Sequence, residues 1–211
     1  MNGYSFCVIT HGKRPGKLAR LLASVHAQNM PAYEIVIAGA LPAGWRPDRF
    51  TFIPSDGAAS GRLGLLRNTA ADAAKYDHLI VLDDDLYLHP DFYSGLLAFG
   101  EDYDLQSCRI LNPDGTRFWD WKAHQGHDYL LDYAETSPFV SLTGGFVVMK
   151  REVFDCVRWS DTLGFYQAED VDFRGRARRA GLAICFNRHS TVTHDGPYTQ
   201  REKGVYRIDQ D

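Results

Sequence analysis

His78-Leu79-Ile80-Val81-Leu82-Asp83-Asp84-Asp85 is the stretch on which the reading of this chain turns. A short apolar run leads without interruption into three adjacent carboxylates. The run reads as a buried strand. Three ionised groups side by side at the end of such a strand repel one another and resist burial. A divalent cation removes both penalties, and hard carboxylate oxygens suit Mg²⁺ or Mn²⁺ bridged to substrate phosphates. Taken alone, a solvated acidic turn that caps the next helix is the more common reading of such a motif.

Outward from this stretch, strand and helix signals alternate. Residues 6–10 read as a buried strand, followed by a turn with Gly12 and Pro15, then Leu18, Leu21, Leu22 and Val25 at helical spacing. Residues 33–38 and 50–54 are further strands. Ser60 is suited to cap a helix that turns Leu63, Leu66, Ala70 and Ala73 inward. Pro90 is suited to open a helix running through Leu97. Alternation of this kind implies crossovers and a mostly parallel sheet. Its ligands then bind at the carboxyl ends of the strands, where Asp83 to Asp85 lie.

Beyond Asp104 the pattern becomes mixed. Residues 105–110 are strand-like, and Asn112-Pro113-Asp114-Gly115 is a turn. Residues 118–136 are polar and aromatic. Residues 139–149 return as an apolar strand broken by Gly144-Gly145. A short helix over 151–157, a longer one over 169–180 closed by Gly181, and short strands over 182–186 and 191–194 complete the order. The expected architecture is α/β: a nucleotide-binding half over 1–103, a mixed acceptor-binding half over 104–196, and a polar tail over 197–211.

Two further constellations join the triple aspartate. Glu169-Asp170-Val171-Asp172 opens a helix, where the macrodipole favours carboxylates. One of them, ionised and within reach of a hydroxyl, is suited to act as a general base. His194 ends a strand, and an imidazole among carboxylates leans towards Mn²⁺ over Mg²⁺. An ordinary hydrogen-bonded histidine is the simpler reading of that residue by itself.

Order and spacing give these signals their weight. The chain resembles the family 2 glycosyltransferases of the GT-A fold over roughly nine-tenths of its length. The resemblance rests on the first strand and turn, Val8-Ile9-Thr10-His11-Gly12-Lys13-Arg14, and on Arg67-Asn68-Thr69-Ala70-Ala71. It rests also on a DxD-bearing strand end, Val81-Leu82-Asp83-Asp84-Asp85, and on Thr143-Gly144-Gly145-Phe146 before Lys150-Arg151-Glu152-Val153-Phe154. Glu169-Asp170-Val171-Asp172-Phe173 and the late His194 complete it. The fold so implied is GT-A, a Rossmann-like half fused to a mixed half.

The resemblance also implies roles. Asp170 would be the catalytic base, with Glu169 as neighbour or substitute. Asp85, Asp83 and His194 would hold Mn²⁺ or Mg²⁺. Thr10, Arg14, Arg67, Asp83 and Asp84 would bind a nucleotide diphosphate sugar, with a UDP-sugar favoured. Gly144 and Gly145 would line the acceptor pocket. Aromatic Trp119 and Trp121, which would share one face of a strand, are suited to stack on an acceptor sugar; a satellite hydrophobic cluster is an equal reading. The reaction implied is transfer of one sugar, with inversion, to a hydroxyl of a glycan or lipid-linked acceptor. The QxxRW motif of processive synthases is absent. So is the acidic residue the family usually carries after the second strand, which here ends Ile37-Ala38-Gly39-Ala40. Asp56 is a weak substitute.

Composition narrows the alternatives. With 211 residues and 45% apolar content the chain has material for a full core. A net charge of −4 asks for neither nucleic acid nor an anionic membrane. Arg174, Arg176, Arg178 and Arg179 read as a solvated helix face, with peripheral membrane contact as the minority reading. The four cysteines form no CxxC motif and each reads as a small hydrophobe. No leader and no membrane span is read, so a cytoplasmic location, at most at the inner membrane face, is expected. A sugar-1-phosphate nucleotidyltransferase is the nearest rival, but it has no use for the Glu-Asp helix and His194. A catalytically silent sugar-binding module is the other.

Overall fold

The structure, a computed structural model, describes residues 3–165 and 167–196. The tail expected over 197–211 lies outside the described residues. In chain order the elements are β1 (Tyr4–Thr10), α1 (Pro15–His26), β2 (Tyr33–Gly39), β3 (Thr51–Pro54), α2 (Gly57–Ser60), α3 (Leu63–Ala73), β4 (His78–Asp83), β5 (Leu86–Leu88) and α4 (Phe92–Phe99). Then follow β6 (Leu105–Leu111), β7 (Lys122–His124), β8 (Asp128–Leu130), β9 (Val140–Ser141), β10 (Phe146–Lys150), α5 (Arg151–Cys156), α6 (Glu169–Arg179) and β11 (Ile184–His194).

Eight strands form one sheet in the order β3-β2-β1-β4-β10-β6-β11-β5. The first four are parallel to one another, and β10 runs antiparallel to both its neighbours. Period-two alternation explains how this sheet is covered on both faces. Phe6, Val8, Ile35, Ile37, Ile80 and Leu82 point into one cluster with Leu18, Leu21 and Val25 of α1 and Phe92 and Leu96 of α4. Cys7, Val36, Ala38, Leu79 and Val81 point the other way, into a cluster with Ala70 and Ala71 of α3, Val153 and Phe154 of α5, and Phe173 and Ala177 of α6. The expected mixed, mostly parallel α/β architecture is what the chain adopts.

Several elements differ in detail. Ser60 ends α2 rather than capping α3, whose preceding residue is Arg62 and carries no side-chain cap. The inward face of α3 carries Arg67 and Asn68 as well as Leu66 and Ala70, so it is partly polar. Helix α4 starts two residues after Pro90, behind Asp91. The two short strands expected over 182–194 are one strand with an irregularity between Asn187 and Thr191. Short β5 pairs antiparallel with the end of β11, Leu86 opposite His194. Cys156 is exposed, whereas Cys7 and Cys108 are buried.

The polar and aromatic stretch also holds structure. Strands β8-β7-β9 form a small second sheet over a cluster of Trp121, Ala123, Leu131 and Val140. Asp120, fully buried, ties its approach together. It accepts from Arg117 Nε at 2.7 Å and from the Tyr133 hydroxyl at 2.8 Å.

Candidate functional site

The carboxyl ends of β1 and β4 meet the loop before β10 and the start of α6. Thr10 Oγ1 donates to Asp84 Oδ2 at 2.5 Å, which closes the end of β1 onto the triple aspartate. Asp84 and Asp85 are buried just past β4. Burial pushes Asp84 above its usual range, and the Thr10 hydrogen bond opposes that shift. Arg14, before α1, puts Nη1 2.5 Å from Asp85 Oδ2 and 3.6 Å from Asp84 Oδ1.

Arg67 is the link between the two sides. Its side chain is 1% exposed, and Nη1 donates to Glu169 Oε1 at 3.0 Å while Nη2 lies 3.4 Å from Asp83 Oδ1. Burial raises Asp83 to about 7, with the Arg67 charge pulling the other way and Asp84 and Asp85 adding to the rise. Gly144 and Gly145 lie in this gap. A Cβ on Gly144 would stand 3.2 Å from Asp170 Cβ and 3.3 Å from Glu169 Oε1; one on Gly145 would stand 3.2 Å from Asp83 Oδ2. A side chain at either glycine of this turn would press on the acids, which would have to give by a few tenths of an ångström. So Asp83, Glu169 and Asp170, 86 residues apart along the chain, share one centre.

Beside them is a cavity of about 380 Å³. Thr10, His11, Arg14, Asp83 and Asp84 line one side, and Gly57, Ala58, Leu66 and Phe165 the other. Its size suits a small-molecule ligand. Asp56 does not line it and is exposed ahead of α2, as expected of a turn aspartate. At the end of β2, Gly39 stands at φ +128°, where a side chain would run into the Thr10 carbonyl.

The profile described as Glycosyl transferase family 2 matches residues 57–158. Two solved structures share the fold. One is TarS residues 1–349 from S. aureus, at TM-score 0.63 and 16% identity, over 97% of this chain and 59% of that one. The other is GalNAc-T7 solved with UDP, GalNAc and Mn²⁺, at TM-score 0.69 and 16% identity, over 92% of this chain and 44% of that one. Residues 57–158 thus resemble the family 2 glycosyl transferases, and the chain as a whole shares the GT-A fold of these two structures. It spans less than two thirds of the length of either structure. No curated protein matches the sequence significantly.

The three expected metal ligands do not gather as a trio. Asp83 is committed to Arg67, and among the described residues no three His, Cys, Asp or Glu side chains come together as a metal cage. Asp85 Oδ2 and His194 Nε2 do face each other, 3.8 Å apart. That exceeds a hydrogen bond but suits two ligands each about 2.1 Å from one ion. His194 stacks on Phe118, and burial lowers its pKa, which favours the neutral ring that a ligand needs. A carboxylate and a neutral imidazole, with phosphate and water completing the shell, fit Mg²⁺ or Mn²⁺.

Other expected site residues lie elsewhere. Trp119 and Trp121 do not share a face, because residues 119–121 form a bend and not a strand. Trp119 packs against the first core cluster. Trp121 is 3% exposed in the small cluster, tilted on Phe186, with Nε1 donating to the Glu135 carbonyl. It has little surface for a sugar. The arginine cluster is not wholly solvated either: Arg176 pairs with Asp172, but Arg174 is buried. Four residues after Asp170, Arg174 shares its helix face and so turns inward.

Lys122 and Asn68 were not singled out from the sequence as site residues. Lys122 Nζ is 2.5 Å from Asp128 Oδ2 and 3.9 Å from Asp170 Oδ2, while His124 Nδ1 is 2.7 Å from Asp128 Oδ1. Asn68 Nδ2 donates to the Trp159 carbonyl and to Asp161, and Asn68 Oδ1 accepts from the Trp159 N–H. It pins the loop that leads into α6. Asn68 was legible only as the neighbour of Arg67; Lys122 carried no signal.

Proposed function

We propose that this glycosyltransferase moves one sugar from a nucleotide diphosphate donor, UDP-sugar favoured, to a hydroxyl of a glycan or lipid-linked acceptor, with inversion. The observation that carries the reading is the Arg67 bridge from Asp83, which lines the cavity, to Glu169, whose neighbour Asp170 lies beside Gly144. Asp83 and Asp84 at the cavity, with Asp170 beyond the Arg67 bridge, match the needs of a single displacement.

Thr10 and Asp84 line the donor side of the cavity, and Arg14 reaches the diphosphate. Asp85 and His194 hold a divalent cation; GalNAc-T7, a neighbour in fold, was solved with Mn²⁺ and UDP. The cation supplies Lewis-acid stabilisation of the departing diphosphate. Asp170 accepts the proton of the acceptor hydroxyl as that oxygen attacks the anomeric carbon and the bond to the phosphate oxygen breaks. Glu169, held by Arg67, keeps the start of α6 in register with Asp83. Gly144 leaves the space through which the acceptor oxygen approaches.

The test is a panel of nucleoside diphosphates with and without Mn²⁺, read by melting temperature, followed by transfer assays with the donor that responds. A ligand held by the native state raises the melting temperature. Asp170→Asn should keep the nucleotide response and lose about a hundredfold or more in turnover. Turnover close to the parent rate would remove Asp170 from the role of base.

A further inference from the structure

Asp85 Oδ2 has two suitors. It lies 2.5 Å from Arg14 Nη1, and the same oxygen faces His194 Nε2 at 3.8 Å. A guanidinium and a divalent cation at one carboxylate oxygen repel each other at close range, so each weakens the other's hold on Asp85. The acids are fixed: the Asp84 and Asp85 side chains are 5% and 9% exposed, and Asp84 is held by Thr10. Arg14 is not. Its side chain is 38% exposed, it makes no cap for α1, and it lines the 380 Å³ cavity. The other arginine of the site, Arg67, is 1% exposed between two carboxylates and has no such freedom.

We infer that Arg14 couples cation binding to donor binding. In the ligand-free protein it is the counter-ion of Asp85 and competes with the cation. A diphosphate entering the cavity offers the guanidinium a second, bidentate anion. Arg14 then leaves Asp85, and the cation takes its place. Each ligand removes an obstacle to the other, and such coupling is reciprocal. The inference rests on the proposed cation site at Asp85 and His194, and adds to it an order imposed by one side chain.

Arg14→Met keeps a long, partly exposed side chain and removes the charge. Mn²⁺ affinity is measured by titration calorimetry on the full chain, with Mn²⁺ alone and with saturating UDP, corrected for Mn²⁺ binding to UDP. In the parent protein UDP should tighten Mn²⁺ binding about tenfold. In Arg14→Met, Mn²⁺ alone should bind about tenfold tighter than in the parent, and the increment from UDP should shrink to about threefold or less. Should UDP give no increment in the parent, GDP, CDP and dTDP take its place; an increment from none of them overturns the inference. Equal or weaker Mn²⁺ affinity in Arg14→Met also overturns it. Asp85→Asn separates the two levels. If it binds Mn²⁺ like the parent, the cation site itself is wrong. If it loses Mn²⁺ while Arg14→Met behaves like the parent, only the coupling fails.

Discussion

Arg67 holds a full charge almost out of reach of water, so the Glu169 carboxylate at 3.0 Å and the Asp83 carboxyl group at 3.4 Å stand in for solvent. Removing one member of a buried pair strands the other. Arg67→Met should therefore destabilise by about 3 kcal/mol or more, measured by urea unfolding. Arg67→Lys should not restore function, because an ammonium lacks the fork that spans both acids. Asp83 makes a second prediction. Its carboxyl is raised to about 7 by burial, so the native form keeps its proton where the unfolded chain, near the ordinary 3.8, has lost it. Between those values the native state binds more protons, and stability falls as pH rises through that window. The melting temperature of the ligand-free protein should drop from pH 5 to pH 8 relative to Asp83→Asn. Parallel pH courses for the two proteins would contradict the assigned burial.

At the scale of elements, α6 is placed by aromatic packing and not by capping. Its N-cap residue Ala168 is left-handed at φ 58° and provides no side-chain bond. Instead Phe173 stacks on Trp159 at 4.2 Å between ring centres, and Arg67 lies over the same indole at 5.9 Å. Trp159→Ala should cost about 3–5 kcal/mol in denaturant unfolding and should reduce nucleotide-dependent stabilisation, since α6 then loses its seat. The strands and helices of the first half were readable because their apolar periods are clean: Phe6, Val8, Ile80 and Leu82 alternate with residues facing the opposite layer. The acids of the site were readable because three adjacent aspartates have no comfortable fate at a strand end. The stretch around Trp119 to Tyr133 was not, because its order comes from polar ties of the buried Asp120 to Arg117 and Tyr133, which follow no apolar period. Lys122 was invisible for the same reason: its partners, Asp128 and Asp170, meet it only once β7, β8 and α6 are assembled.

On the scale of the molecule, one sheet runs through β1, β4, β10 and β6, and at its carboxyl ends Arg67 ties Asp83 to Glu169 across the site. Occupying the cavity should therefore stiffen the whole. A nucleoside diphosphate with Mn²⁺ at a hundred times its dissociation constant adds about 2.7 kcal/mol, visible as a higher melting temperature. Either component alone should give a smaller rise, and equal rises would argue against a shared site.

Strand β11 lies between β6 and β5, although β5 precedes it by nearly a hundred residues in the chain. During synthesis β1 to β4 can pair as soon as they emerge from the ribosome. Segment 86–88 has no neighbour in the sheet until 184–194 has been made. His194, at the end of that last strand, arrives opposite Leu86 and next to Asp85 in the same event. A nascent chain arrested before residue 184 should thus hold a folded Rossmann-like portion without a competent cation site, and chaperone dependence should concentrate in that late interval.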